Sequence, residues 1–347
     1  MNRSTYRAGL IGAGFVGAGD QVSGDALGQQ VANLDGTHAS TLSKHARVDL
    51  VAGSDRQPDR LERFAQRTGA KTYADWREMI ERERLDILSV ATYCPAHAEM
   101  TLAAAEHGVR AVYCEKPIAP SLADAERMVA ACEAAGTLLV VNHNRRFNPN
   151  YRRLRDLVAN GGLGDLTSVT LQWPTGRLGN VGTHLIDAAC MLVSREVRAV
   201  SGTLDTAGKP DCRGEQFHDP GGWALLRFED GLIATLDAAD YAKVPGRVVL
   251  NGTLGRASTG GDDVTIEFWN GEQETWPSQR QEATSMDRAL AEIVAWLDDG
   301  APFSYPATHA VRVLEVILGV HASHARDAAW TSLPLQGEDR QRELLSG

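Results

Sequence analysis

Glu115, Lys116 and Pro117 directly follow the apolar run Ala111-Val112-Tyr113-Cys114, which puts a carboxylate and an ammonium at the end of a buried strand, on a turn fixed by proline. Far downstream, His184 stands in Gly182-Thr183-His184-Leu185-Ile186-Asp187, a run with helical spacing. An amine and an imidazole suit one kind of chemistry well. When hydride leaves a carbinol carbon the hydroxyl proton must leave too, and a base poised near neutral pH removes it best. Lys116 would polarise the oxygen, with burial able to lower its pKa, and His184 would take or relay the proton. Each also has a plain reading, an exposed loop cation for Lys116 and a hydrogen-bonded core histidine for His184.

The elements that must hold these residues follow from the pattern of the whole chain. A chain of 347 residues with 43% hydrophobic content exceeds most single cores and implies two domains. The net charge of -10 disfavours a nucleic-acid groove or an anionic membrane surface as partner. No run reaches the apolar length of a membrane helix and the first residues lack the apolar core of a signal peptide, so a cytoplasmic location is expected. Cys94, Cys114, Cys132, Cys190 and Cys212 are odd in number and scattered, which suits packed thiols better than disulfides or a zinc site.

Up to about residue 145, short apolar runs (Arg7–Ile11, Val48–Gly53, Leu85–Ala91, Ala111–Cys114) alternate with amphipathic stretches, the signature of βαβ units and a parallel sheet. Gly12-Ala13-Gly14-Phe15-Val16-Gly17 follows the first of these runs and satisfies G-x-G-x-x-G. Its glycines permit a tight turn, close approach of backbone to a pyrophosphate and close helix packing. Asp55 ends the second run, where a carboxylate accepts hydrogen bonds from an adenosine ribose, and Arg56 beside it could engage a 2′-phosphate. The expected cofactor is NAD, with NADP open. Residues 18–37 are longer than a first helix turn needs and read either as a solvated loop or as a flap. From residue 146 to 347, a helix at 151–160, a strand at 167–173, a helix at 183–193, strands at 199–204, 224–228, 233–238 and 247–251 and turns such as Asn251-Gly252 predict a mostly antiparallel sheet. A helix at 308–325 closes the chain. The expected fold class is therefore an α/β Rossmann domain (1–145) followed by an α+β domain on a mostly antiparallel open sheet (146–347).

Over nearly its whole length the chain resembles the glucose-fructose oxidoreductase and inositol dehydrogenase (Gfo/Idh/MocA) family, through GLIGAGFVG, ATYCPAHAEM, CEKPIA, NHNRRFNP, GGLGDL, GTHLIDAA and LEVILGVHASHARDAAWTSLPL. The resemblance implies that Thr92, Pro95 and His97 line the nicotinamide ribose, with Glu115 and Lys116 beside them, and that Lys116 is catalytic. His97 has an equal alternative as a locally bonded residue at a helix N-terminus. The family carries an acid four positions before the downstream histidine, whereas this chain has Asn180, which hydrogen-bonds a hydroxyl but carries no proton; the proton work then rests on Lys116 and His184. Asp187 would contact a substrate hydroxyl or orient His184, unless it makes a structural salt bridge, and Arg146 matches a family arginine of structural role. Arg177 is a candidate for an anionic substituent on the substrate, or a solvated cation.

The remaining features are weaker. Trp173, Trp223, Trp269 and Trp276 read as core or interface aromatics, and Tyr241 and Lys243 read equally as edge or site residues. His321 and His324 have helical spacing but no third ligand, so no metal is expected. With the glycine turn, Lys116 and His184, the resemblance implies an NAD(P)-dependent oxidoreductase acting on a secondary alcohol of a sugar, cyclitol or sugar derivative, assembled as a homodimer or homotetramer. The alternative within the resemblance is a redox-neutral glycoside hydrolase that oxidises the sugar transiently and eliminates the aglycone.

Overall fold

A computed structural model of the chain describes residues 5–21, 36–174, 176–206, 216–239, 246–300 and 302–346. Among these, the helices in chain order are α1 (Phe15–Ala18), α2 (His38–Lys44), α3 (Pro58–Thr68), α4 (Trp76–Glu83), α5 (His97–Glu106), α6 (Leu122–Ala135), α7 (Pro149–Ala159), α8 (Thr183–Val193), α9 (Ser285–Asp299) and α10 (Thr308–His324). The chain divides into two compact units, Met1–Ala119 with Asp124–Asn142 and Ala283–Thr308, and Pro120–Ala123 with His143–Glu282 and His309–Gly347.

The first unit is built on six parallel strands, β1 (Tyr6–Ile11), β2 (Val48–Ser54), β3 (Lys71–Tyr73), β4 (Ile87–Val90), β5 (Ala111–Cys114) and β6 (Leu138–Val141), in the order β3-β2-β1-β4-β5-β6. Strands β4 and β5 are buried along their whole length, as strands covered on both faces must be. The order reverses at β1, which pairs with β2 on one side and β4 on the other, and ligands of such sheets bind outside the strand ends at that point. Helix α9 belongs to this unit, although the sequence boundary at 145/146 left it on the far side. It opens on a capping box between Thr284 and Asp287, and Asp298 near its end bonds Tyr6 and Arg47.

The second unit is built on nine strands, β7 (Leu166–Gln172), β8 (Val197–Leu204), β9 (Gly222–Phe228), β10 (Ile233–Ala238), β11 (Arg247–Gly252), β12 (Gly255–Gly260), β13 (Asp263–Phe268), β14 (Gln273–Trp276) and β15 (Thr331–Ser332). They run in the order β14-β13-β12-β11-β7-β10-β9-β8-β15, antiparallel throughout except for β7 against β10. Sequence reading gave bounds to β7 to β11 and none to β12 to β14, although β13 alternates strictly as Asp-Val-Thr-Ile-Glu-Phe. On β9 the alternation is strict: Ala224, Leu226 and Phe228 face the core, while Trp223 (43% exposed) and Leu225 (40%) face out. Trp173 and Trp276 are buried and Trp269 is exposed. Helix α10 lies against β8, where the Ser323 hydroxyl accepts the Gly202 N–H. No helix among the described residues is long and apolar enough to cross a membrane.

Candidate active site

In the first unit the glycine turn joins β1 to α1. Gly12 has φ +92°, and a Cβ there would lie 2.4 Å from the Ala91 carbonyl oxygen; one on Gly17 would lie 1.8 Å from the Gly12 oxygen. Both contacts are with backbone, so only glycine fits, and the turn stays narrow enough for a phosphate to approach its amides. Asp55, just past β2, accepts the Ala13 N–H through Oδ2 at 2.8 Å and the Gln57 N–H through Oδ1 at 2.9 Å. The carboxylate thus pins the glycine turn to the strand end and retains lone pairs for ribose hydroxyls. Arg56 is exposed, whereas Arg60, which the sequence reading passed over, lies 3.8 Å from Asp55 and 3.4 Å from the buried Asp20. Phe15 and Val16 head the helix at intermediate and exposed positions. Narrow turn, backbone amides and strand-end carboxylate fit a dinucleotide. Of the segment 18–37, residues 22–35 lie outside the described residues, as do Tyr241, Lys243 and Cys212.

The Glu115-Lys116-Pro117 loop leaves β5 with a cis peptide between Lys116 and Pro117. Glu115 is buried, and its carboxylate takes three donors. Oε1 accepts from His38 Nε2 at 3.0 Å and from Asn142 Nδ2 at 2.5 Å, and Oε2 accepts the Lys116 N–H at 3.3 Å. The other ring nitrogen of His38 pairs with Ser89 Oγ on β4 at 3.0 Å, and Asn142 Oδ1 accepts the Tyr113 hydroxyl at 2.7 Å. Burial works to raise the Glu115 carboxyl, but the hydrogen bond and charge of His38, the charge of Lys116 and the Asn142 amide together hold it at about 2. Glu115 is therefore an internal anion that ties the loop down. Lys116 sits half-exposed after it.

His97 takes the second of its two expected parts, a bonded residue at a helix start. It is fully buried, with Nδ1 2.9 Å from the Pro117 carbonyl and Nε2 3.0 Å from the Thr92 carbonyl, and burial lowers its pKa. It clamps the loop after β4 to the loop after β5, from the first turn of α5. Thr92 is half-buried and Pro95 exposed, positions from which a ligand can be touched.

In the second unit Leu178–Gly182 forms one turn of π-helix that runs straight into α8, so Asn180 and His184 lie on consecutive turns. Arg177 precedes it with φ +58°, a left-handed conformation that costs a non-glycine residue energy and is found at functional turns. Asp219 holds the turn from below, accepting the Gly179 and Asn180 N–H groups, each at 2.7 Å, and the Ser346 hydroxyl at 2.8 Å. Such a carboxylate satisfies amides that a helix start leaves without partners. Asn180, Arg177 and His184 are partly exposed.

Asp187 takes the second of its expected parts, a structural salt bridge. It is fully buried, and Arg146 binds it in a fork: Nε lies 2.8 and 2.9 Å from its two oxygens and Nη2 2.6 Å from Oδ1. His143 stands 3.4 Å away through Nδ1 while its Nε2 pairs with Thr183 Oγ1 at 2.9 Å, and its ring meets that of His184 edge-on at 6.1 Å. One face of α8 is thus anchored to the segment after β6, and His184 is carried on the anchored helix. A carboxylate on an apolar helix face must find a partner inside, which is why a surface role fails here.

The sequence reading missed His38, Asn142, His143 and Asp219. Thr37 followed by His38-Ala39 is a helix start, since the Thr37 side chain accepts the Ser40 N–H, but the adjoining insertion obscured it. Asn142 and His143 lie in the NHNRRFNP run already noted. Nothing local marks Asp219. Among the described residues no group of three or more His, Cys, Asp or Glu is arranged to hold a metal.

Residues 6–143 match the profile of the oxidoreductase family with an NAD-binding Rossmann fold, and residues 172–258 that of the GFO/IDH/MocA C-terminal domain. An inositol 2-dehydrogenase of Acidothermus cellulolyticus is 31% identical over 317 residues, 84% of this chain and 84% of that protein. The chain belongs to the Gfo/Idh/MocA oxidoreductase family. Its first unit is an NAD-binding Rossmann domain. Over shorter stretches it is 35% identical to a myo-inositol 2-dehydrogenase of Thermotoga maritima (128 residues, 37% of this chain) and 38% identical to a D-apiose dehydrogenase of Paraburkholderia graminis (118 residues, 34% of this chain). The matched stretches span 38% and 31% of the length of those two relatives. In fold it is similar to an aldose-aldose oxidoreductase of Caulobacter crescentus in complex with glycerol, with TM-score 0.78 and 19% identity over 95% of this chain and 100% of that one. A levoglucosan dehydrogenase in complex with NADH and levoglucosan gives TM-score 0.77 and 19% identity over the same shares.

Proposed function

We propose that this protein is an NAD-dependent dehydrogenase or reductase that moves a hydride between the nicotinamide and a secondary alcohol of a sugar, cyclitol or sugar derivative. The observation that carries the reading is the Glu115-Lys116-Pro117 loop, tied down by buried groups at the C-terminal end of β5 in an NAD-binding sheet. Relatives named for inositol and apiose support the substrate class. Bound nicotinamide supplies the hydride acceptor. The side chains do the rest. The Lys116 amine hydrogen-bonds the reacting oxygen and favours its negative charge, and the His184 imidazole takes the proton, or returns it in the reducing direction. Asn180 offers an amide to a neighbouring hydroxyl, and Arg177 a guanidinium to a polar substituent. Because Asn180 cannot carry a proton, the exchange falls on the amine and the imidazole. Trp223 and Leu225 on the open sheet face support a homodimer or homotetramer.

The test is a paired assay of the purified protein with NAD, and separately with NADP, over free sugars, cyclitols and aryl glycosides, following reduced nicotinamide and aglycone together. Reduced nicotinamide from a free polyol is the expected result. Aglycone release with no net reduced nicotinamide would overturn it in favour of a redox-neutral hydrolase.

A further inference from the structure

We propose that His38 is a positioning residue for Lys116 and acts through Glu115: its ring anchors the carboxylate that fixes the backbone and the charge state of the lysine amine. Four observations, all within the first unit, carry this. The ring is fully buried and spans two structural elements, with Nδ1 on Ser89 of β4 and Nε2 on Glu115 after β5, each at 3.0 Å. The anchored carboxylate accepts the N–H of Lys116 itself, so its orientation sets the peptide plane from which the amine departs. Asn142, after β6, supplies the second donor to Oε1 and is itself held by Tyr113. The far side of the loop is held at the Pro117 carbonyl by His97. Ends of three neighbouring strands and the start of α2 therefore converge on the one residue before Lys116.

The electrostatic consequence has a definite sign. Among the described residues the ionisable groups facing Glu115 are His38, Lys116, Tyr113, Cys114 and His97. A buried carboxylate takes compensation from whatever donor is nearest. With His38 and Asn142 both donating to Oε1, part of that demand is met without the ammonium. Removing His38 shifts the demand onto Lys116 and keeps its amine protonated. Removing the charge of Glu115 does the opposite and releases the amine.

Trace labelling of the full chain with an amine reagent such as fluorodinitrobenzene, read across pH by peptide mass analysis, tests this directly. The chain has five lysines, Lys44, Lys71, Lys116, Lys209 and Lys243, and exposed Lys71 serves as internal reference. Labelling of Lys116 relative to Lys71 is expected to slow about tenfold in His38→Leu and to quicken about tenfold in Glu115→Gln, with His38→Gln, which keeps a donor toward the carboxylate, close to the parent. A loosened loop would quicken labelling in both variants, and that result, or no change in either, would overturn the proposal. Should His38→Leu fail to fold, Ser89→Ala, which unhooks only the far side of the ring, is expected to slow labelling about threefold against the acceleration in Glu115→Gln. Equal signs for those two would also overturn it. The inference rests on Lys116 acting at the substrate oxygen, but labelling needs neither substrate nor cofactor. Predicted labelling in an enzyme without turnover would defeat only the functional reading, and unchanged labelling in an active enzyme only this one.

Discussion

Replacing Arg146 by methionine removes the fork that neutralises Asp187 and leaves a carboxylate with no exposed surface facing the imidazoles of His143 and His309 without a guanidinium. Breaking a buried pair from one side costs about 3–5 kcal/mol, because the stranded charge keeps its full desolvation penalty. For a unit of this size that is roughly 10 °C in the melting temperature, at about 2–4 °C per kcal/mol. The reverse replacement, Asp187→Leu, removes the fork from the other side and is expected to cost a similar amount. The double variant removes both charges and should recover at least half of the loss, because its members are coupled rather than additive. Calorimetry of the parent, both singles and the double closes the cycle. A melting temperature within about 1 °C of the parent for Arg146→Met, or a double variant as unstable as the sum of the singles, would refute the buried-pair account and return Asp187 to a surface role.

Two further outcomes follow from single positions. Gly12→Ala places a Cβ 2.4 Å from the Ala91 carbonyl at φ +92°, so it should weaken NADH binding by at least about tenfold in fluorescence titration. Wild-type affinity in that variant would show that the turn can open. His321 is brought to about 4 by burial and by the nearby His218, Arg342 and His324. Its folded pKa lies below the unfolded value, so its neutral form supports stability above about pH 6.5. That support is lost as pH falls from there to about 4, by roughly 3 kcal/mol in all. His321→Gln should flatten the fall in melting temperature over that window, and an unchanged profile would remove His321 as its cause.

How much of this was legible in the sequence depends on whether the deciding interaction is local. The Rossmann half was readable because its strands are continuous apolar runs and its turn needs glycine at fixed spacing, as Gly12 and Gly17 bear out against backbone. The places of Lys116, just past β5, and of His184, on α8, were readable because β5 and α8 are patterned runs. Asp187 stayed open between a substrate contact and a salt bridge because sequence shows which helix face a residue occupies but not what arrives opposite it; the partner, Arg146, sits on another element. His97 stayed open between two parts for the same reason, one of its partners being a carbonyl of another loop. Asp219 was invisible, since it serves amides some forty positions earlier in the chain. Strands β12 and β14 are short and polar and take their order from pairing with β13, whose alternation was there to be read.

The central claim is that Lys116 serves hydride transfer to a sugar or cyclitol carbon. The direct measurement is deuterium transfer from reduced nicotinamide labelled at its transferring carbon, incubated with the full chain and a panel of keto-cyclitols and keto-sugars, with products read by mass spectrometry. The account predicts a single deuterium on the new carbinol carbon with the parent protein, and a rate at least about a hundredfold lower with Lys116→Ala while NADH binding persists. No deuterium transfer to any acceptor by a protein that binds NADH, or equal transfer by parent and Lys116→Ala, would contradict it.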